Sequence, residues 1–368
     1  MNSYPGDTPA LPTASTKDGC KRSTEARRPR LSVAIPAYNR VRFLQELLDS
    51  IATQDVDDPA DIEVVVSEDA SPERPQIRAL ALHAQARSRW PVRYTEVAHN
   101  LGYDGNIRRL VALSAGEFCF FMGNDDVLAA GALRSTLDYL ARHEDVGMLL
   151  RGYAVFNGRA SNVTSTIRYV DRPVLLAAGR DALAMAYRRS GVISGYIIRR
   201  DEAFAAATAR FDGSLYYQMH LTASVLAKRP MLVVPDVLVL CRDETLPEFG
   251  AAPAEQGRFT PGGYTPAARV HMLKGAMAIL DAHPDLDRDG TRDLIVRDYA
   301  RHFYPFVVDQ LHLSWRAYLR MCRAMAVTAV GRHPSFYVNC AVAYLLGRRR
   351  TDAAILTVRR MLGHTPRF

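Results

Sequence analysis

The sequence has no apolar run approaching the ~20 residues that cross a bilayer as a helix, so its pattern excludes spanning helices. Residues 1–30 carry Pro, Ser and Thr but no apolar centre, which excludes a secretory signal and predicts a flexible leader. Cysteine is sparse: Cys20, Cys119, Cys241, Cys322 and Cys340 are odd in number, and none stands in a C-x-x-C pair. That argues against a disulfide framework or a thiolate zinc site and fits a reducing cytoplasm. The ten histidines show neither H-x-H nor H-x-x-x-H spacing, so no metal site is built from imidazoles.

What is present is a globular composition, 48% hydrophobic and 23% charged, which excludes disorder for most of the chain. The net charge of +8 is unevenly placed: residues 1–30 carry +3, residues 301–368 carry +9, and the 270 residues between them carry −4. A nucleic-acid binder would spread its cations over the working face of the folded body, so nucleic acid is not expected as a partner. The arginine-rich end alternates with apolar segments such as Tyr337–Leu346 before Arg348-Arg349-Arg350. Helices of that kind either lie on an anionic membrane surface or pack their apolar faces on the body.

From Leu31 onward, short apolar runs alternate with helix-period segments, the signature of a parallel sheet with helical crossovers. Strands are expected at 31–36, 62–67, 92–97 and 118–122, with helices at 41–52, 75–88 and 104–114 between them. A helix at 129–143, strands near 147–156 and 192–198, a helix at 214–227 and a strand at 232–240 follow. Residues 243–266 are rich in Pro, Gly and acidic residues and read as a long functional loop; from 267 the pattern is helical.

In an open parallel sheet, ligands bind beyond the carboxyl ends of the strands. The first strand ends in Pro36-Ala37-Tyr38-Asn39-Arg40 rather than in G-x-G-x-x-G, which excludes a dinucleotide fold. Its Pro and aromatic ring offer a platform for a flat base, while Asn39 is equally a helix cap. The second strand ends in Ser67-Glu68-Asp69-Ala70-Ser71, whose carboxylates can accept from a base amide and ribose hydroxyls or can simply cap a turn. The fourth ends in Asn124-Asp125-Asp126, adjacent carboxylates that repel unless a cation joins them; oxygen donors favour Mg2+ or Mn2+, shared with substrate phosphates. Between the third strand and its helix, His99–Arg109 is polar and glycine-bearing, and either Arg108 or Arg109 can reach a diphosphate.

Taken in order, IPAYNR, EVVVSEDAS, HNLGYDGNI and AGEFCFFMGNDDVL resemble the inverting family 2 glycosyltransferases of GT-A fold, strongly over 31–130 and more loosely to about 245. The GNDD form, with YIIRR at 196–200 and Tyr216-Tyr217-Gln218, is most similar to the abequosyltransferase-type branch that decorates bacterial surface polysaccharides. The resemblance implies an α/β GT-A domain over 31–245, with a nucleotide and metal half at 31–130 and an acceptor half at 131–245. A mobile loop at 246–266 and a basic helical region at 267–368 would follow. It implies that Pro36, Tyr38, Asn39 and Glu68 surround the nucleotide, that Asn100 and Arg108 border it, and that Asp125 and Asp126 bind the metal. Arg242 would hold the diphosphate or an acceptor phosphate.

The sequence departs from the family pattern in several places. Gly123 stands at the first position of the usual D-x-D, Glu68 replaces an Asp, and Ile107 stands where an Arg is common. Where inverting members carry Glu-Asp at a helix start, Tyr217-Gln218 offers no carboxylate. Asp212 is the preferred base, with Asp243 and Glu244 as rivals. The expected activity is transfer of a sugar from a nucleotide-diphosphate donor to a glycan or lipid-linked glycan. The expected place is the cytoplasm, with peripheral contact at the inner face of the plasma membrane. The alternatives are a nucleotide-sugar-binding protein without transferase activity and a membrane-associated scaffold.

Overall fold

Seven residues, Leu31–Ala37, alternate above and below a sheet whose two faces are both covered, and so nearly all of them are buried. This strand, β1, belongs to a computed structural model that describes residues 27–287 and 289–362; positions 1–26 of the expected leader lie outside it. The chain continues through α1 (Val41–Ala52), β2 (Ile62–Glu68), α2 (Arg74–Arg87), β3 (Val92–Glu96), α3 (Gly102–Leu113) and β4 (Phe118–Phe121). Next come β5 (Val127–Leu128), α4 (Ala132–Arg142), β6 (Met148–Phe156), β7 (Val163–Ile167), β8 (Val174–Leu176) and α5 (Arg180–Ala186). Then β9 (Tyr196–Arg199), α6 (Arg200–Ala205), α7 (Tyr217–Leu226) and β10 (Met231–Arg242) complete the sheet. Helices α8 (Pro266–Asp281), α9 (Thr291–Arg301), α10 (Trp315–Ala326) and α11 (Pro334–Leu362) follow.

The strand order is β3-β2-β1-β4-β9-β6-β10-β5, with β7 beside β6 and β8 beside β10. The first four strands are parallel; β9 then runs antiparallel to both β4 and β6. Register decides the site. Pro36 pairs with Ser67 and Ala37 with Glu68, while Ala34 pairs with Phe121, so the ends of β1, β2 and β4 emerge side by side.

The two faces of the sheet bury separate cores. Leu44 and Leu47 of α1 and Leu133 and Leu140 of α4 cover one, against Val33, Ile35 and Phe120. Ile107 of α3 and Leu221 of α7 cover the other, and the C-terminal helices share it through Leu273, Tyr299, Phe303 and Phe336. Phe303 meets Phe336 edge-on at 4.7 Å, and Tyr318 stacks on Tyr344 at 4.6 Å. At about 1.5–3 kcal/mol per buried large apolar side chain, these contacts dock α8–α11 on the sheet. The opposite side of α11 stays in water: Tyr337, Val338, Val342, Leu345 and Leu346 are exposed. Gly347, at φ 70°, breaks the helix just before the arginine triplet.

Arg28 ties the front of the chain down, donating to the carbonyls of Ala115 and Gly116 at 2.7 Å and pairing with Asp201 at 2.8 Å.

Candidate functional site

The side-by-side strand ends open onto a cavity of about 330 Å3, lined by Pro36, Tyr38, Asp69, Asn100 and Asp125 among others. After β1 the backbone turns through two left-handed residues, Asn39 (φ 49°) and Arg40 (φ 62°). Such conformations cost on the order of 1–3 kcal/mol outside glycine and persist only where neighbours impose them. The buried Asn124 imposes this one, its Nδ2 donating to the carbonyls of Tyr38 at 3.0 Å and Asn39 at 3.1 Å. The turn delivers Arg40 to Asp125, with Nη1 at 2.7 Å from Oδ2.

Of the expected carboxylates, some face the cavity and some build its walls. Glu68 is wholly buried and accepts from the Ala70 and Ser71 amides and from Arg74 Nε at 2.6 Å, shaping the end of β2. Its neighbour Asp69 lines the cavity instead and accepts from the Leu101 amide at 2.7 Å; burial pushes its carboxyl up to about 6. Asp126 accepts from the Arg242 amide at 2.7 Å and from the Ser194 hydroxyl, and it does not line the cavity. Burial and the charge of Asp125 raise its pKa. Asp125 therefore faces the cavity alone of the pair.

Both recorded bonds to Asp125 fall on Oδ2, from Arg40 and from the Thr245 hydroxyl at 2.7 Å, so Oδ1 is the oxygen left for a cation. A Cβ on Gly123 would sit 3.0 Å from Ser194 Oγ and 3.1 Å from Asp125 Oδ1, closer than ordinary contact. The missing first carboxylate is thus matched by a tightly filled space. Among the described residues no cluster of three or more acidic, His or Cys side chains could cage a metal. A single carboxylate facing this cavity fits a magnesium-like ion that would take its other ligands from substrate oxygens and water.

Arg108, Asp212 and Arg242 do not line this cavity. Arg108 holds both oxygens of Asp212, with Nη2 at 3.0 Å from Oδ2. The Arg242 side chain is 1% exposed, its guanidinium sandwiched between Phe43 at 4.2 Å and Phe156 at 4.6 Å. It donates to the carbonyls of Asp125 and Gly158 at 3.0 Å and pairs with Glu46 and Glu244. It braces the Asp125 loop from behind. Of the rival bases, Glu244 caps the Gly158 amide at 2.6 Å, and neither it nor Asp243 lines the cavity. Gln218 is fully buried, and neither side-chain amide atom finds a hydrogen-bond partner among the described residues.

Sequence reading marks 243–266 as a functional loop but singles out none of the residues that it brings to the cavity. Thr245, Glu248, Phe249, Glu255 and Tyr264 all line the cavity. Glu248 accepts from Asn39 Nδ2 at 2.5 Å and pairs with Arg40 at 3.2 Å. Glu255 accepts from the amides of Tyr103 at 2.7 Å and Gly250 at 2.8 Å. The segment's acidic composition is visible in the sequence, but not its partners, 209 residues away for Glu248 and Asn39 and 152 for Glu255 and Tyr103.

Residues 32–208 match the model for glycosyl transferase family 2. The chain carries a family 2 glycosyltransferase domain. Over 116 residues the chain is 34% identical to the abequosyltransferase RfbV of Salmonella typhimurium, covering 32% of this chain and 34% of that one. A 109-residue stretch is 32% identical to the GalNAc(5)-diNAcBac-PP-undecaprenol beta-1,3-glucosyltransferase of Campylobacter jejuni, covering 30% and 33%. The matches thus span about a third of each of these curated relatives. Among solved structures, Staphylococcus aureus TarS 1–349 in complex with UDP-GlcNAc superposes with a TM-score of 0.58 at 17% identity, over 81% of this chain and 80% of that one. The fold is GT-A, a mostly parallel sheet with helices on both faces and a helical C-terminal region.

Proposed function

We propose that the protein is an inverting, metal-dependent glycosyltransferase that moves a sugar from a nucleotide-diphosphate donor to a hydroxyl of a glycan or lipid-linked glycan in surface polysaccharide synthesis. The observation that carries this reading is Asp125, a carboxylate at the end of β4 facing a cavity bounded by the ends of β1 and β2. Tyr38 and Pro36 give a flat base its platform, and Asp69 and Asn100 offer acceptors to base and ribose. When bound at Asp125, Mg2+ or Mn2+ would neutralise charge on the departing diphosphate. In the transfer, the acceptor hydroxyl gives its proton to a base and its oxygen bonds to the anomeric carbon. The bond from that carbon to the diphosphate oxygen breaks, and the nucleoside diphosphate leaves with the electron pair.

Asp212 is held by Arg108 and does not line the cavity, so a carboxylate that does line it is the better candidate base. Asp69 and Glu255 accept backbone amides that shape the walls. Glu248 is a partly exposed carboxylate on the covering segment, and we assign it the proton. The exposed apolar stripe of α11 beside Arg348–Arg350 supports peripheral contact with the inner face of the plasma membrane. Among the described residues no helix is long and apolar enough to cross a membrane.

A second reading, a nucleotide-sugar binder without transfer, draws on Tyr217-Gln218 in place of a carboxylate pair. UDP-, dTDP-, GDP- and CDP-sugars, each tested with Mn2+ for thermal stabilisation and then with glycan acceptors for nucleotide release, separate the two. Stabilisation with release supports transfer; stabilisation without release supports binding alone; no stabilisation by any donor overturns both.

A further inference from the structure

The donor cavity holds a cation of its own. Among the described residues that line it, Arg40 is the only positively charged side chain, against the four carboxylates of Asp69, Asp125, Glu248 and Glu255. A cavity so lined repels a diphosphate until more positive charge enters it. Arg40 is also strained into place, at φ 62° directly after Asn39 at φ 49°. Backbone strain of this kind gathers at ligand clamps and switches.

What the strained turn holds is the segment after β10. The Arg40 guanidinium donates to Asp125 Oδ2 at 2.7 Å, to Glu248 Oε1 at 3.2 Å and to the Leu246 carbonyl. Thr245 adds its hydroxyl to the same Asp125 oxygen at 2.7 Å, and Asn39 Nδ2 reaches the second Glu248 oxygen at 2.5 Å. Each of these contacts leads back to Asp125 or to the turn. From Phe249 onward the anchoring changes in kind: Phe249 packs on Tyr103 and Tyr264, Ala252 and Phe259 are buried, and Glu255 accepts the Tyr103 amide. At the front Leu246 is 63% exposed and adds little packing. Charge holds the front of the segment, and packing holds the rear.

We propose that Arg40 is a latch: in the empty site it occupies Asp125 in place of the metal ion and ties residues 245–248 across the cavity, and a divalent cation at Asp125 opens it. The inference rests on the transferase reading and adds to it how the site is guarded. A divalent ion on Oδ1 sets two positive charges beside the guanidinium on Oδ2 of the same carboxylate, and like charges that close repel. The carboxylate keeps the stronger cation. Arg40 and the Thr245 hydroxyl then give up Asp125, and Leu246 and Glu248 lose the anchor that held them over the cavity. Glu248, to which the proton is assigned, is thus freed only in a site that already holds its metal. Metal binding and the closed segment oppose each other, and the opposition is reciprocal: whatever weakens the latch tightens the metal.

The test uses the full chain and Mn2+, with free ion counted by electron paramagnetic resonance. A glutamate-specific protease reports on the segment, the cut after Glu248 being followed by mass spectrometry. Arg40→Met should bind Mn2+ about tenfold tighter than wild type, the scale of one charge-assisted hydrogen bond. Mn2+ should speed the cut in wild type several-fold, while Arg40→Met is cut at the fast rate without it. If thermal melting shows Arg40→Met unfolded, Thr245→Val is read in the same way, with a smaller gain in Mn2+ affinity because its hydrogen bond is neutral. An arginine that only supports the fold would leave Mn2+ binding unchanged or weaken it. Equal or weaker Mn2+ binding by the folded variant, or a cut that Mn2+ does not speed in wild type, overturns the latch and leaves the transferase reading in place. Nucleotide-sugar stabilisation measured on the same samples keeps the two apart: a segment that answers to Mn2+ in a protein that no donor stabilises leaves the latch standing and sinks the transferase.

Discussion

Replacing Arg242 separates two roles that one arginine at a strand end can play. If it contacts ligand phosphates, its loss weakens nucleotide binding and leaves the fold alone. If it braces the Asp125 loop, its loss is first a stability defect. The structure supports a magnitude for the second case. Arg242→Met takes the donor from the carbonyls of Asp125 and Gly158; Gly158 is exposed and rehydrates, so the cost of about 1–3 kcal/mol falls on the Asp125 carbonyl. Glu46 and Glu244 are more than a third exposed or close to it and rehydrate cheaply, so they add little. Two cation–π contacts are lost, at about 0.5–2 kcal/mol each, and methionine recovers part of that against Phe43 and Phe156. The net is a loss of about 2–5 kcal/mol. Arg242→Lys should lose about 2–3 kcal/mol, because a compact ammonium cannot stack as a plane or reach every acceptor at once. Urea unfolding of the three proteins without ligand measures this. Wild-type stability in Arg242→Met, together with nucleotide affinity weakened tenfold, would refute the bracing argument.

Other outcomes follow from the same geometry. Asp125→Asn removes no core packing but breaks the mostly buried ion pair with Arg40, so a stability loss of about 1–3 kcal/mol is expected. Its metal-dependent stabilisation by nucleotide, roughly 2.7 kcal/mol at 100 times Kd, should vanish; full turnover of the variant in EDTA would reject the metal role. Asp104 accepts the Leu215 and Tyr217 amides at 2.9 Å, and burial pushes its carboxyl up from 3.8 to about 7. The native state then holds a proton that the unfolded chain has released, so this contribution is full below about pH 4 and is lost as pH rises to about 7. Wild type should lose on the order of 3 kcal/mol relative to Asp104→Asn across that window in urea unfolding; parallel curves would contradict the burial argument. Replacing Val338 and Leu345 together by Glu changes exposed positions only. Pelleting with anionic vesicles should fall about tenfold while thermal melting holds, and unchanged pelleting would remove the membrane reading.

The strands and helices that make the donor half were legible because each carries a complete period of apolar residues, and their bounds fall within a few residues of the pattern. Strands β5 and β8, of two and three residues, are too short to show any period, and β7, VTSTI, is mostly polar and exposed and carries no apolar run to mark it. The site was legible as a set of motifs but not as a set of facing side chains. Glu68 and Asp69 are adjacent, so one faces inward and the other builds the wall; the left-handed turn at Ala70 and the Arg74 partner help set which, and neither is a local signal. Arg108 and Arg242 read as phosphate ligands because arginine is the residue for that task. Their partners, Asp212 and the Asp125 carbonyl, lie 104 and 117 residues away.

Gly123 carries a consequence for anyone who would re-engineer this centre. Adding a carboxylate there is a problem of at least two positions, because the first carbon of any side chain already crowds Ser194 and Asp125. Trimming Ser194 to make room removes the hydroxyl that receives the Gly123 amide and donates to Asp126. A paired-carboxylate version would therefore have to be reached by coordinated changes in the turn after β4 and in the segment before β9, and stepwise selection would meet its cost before its benefit.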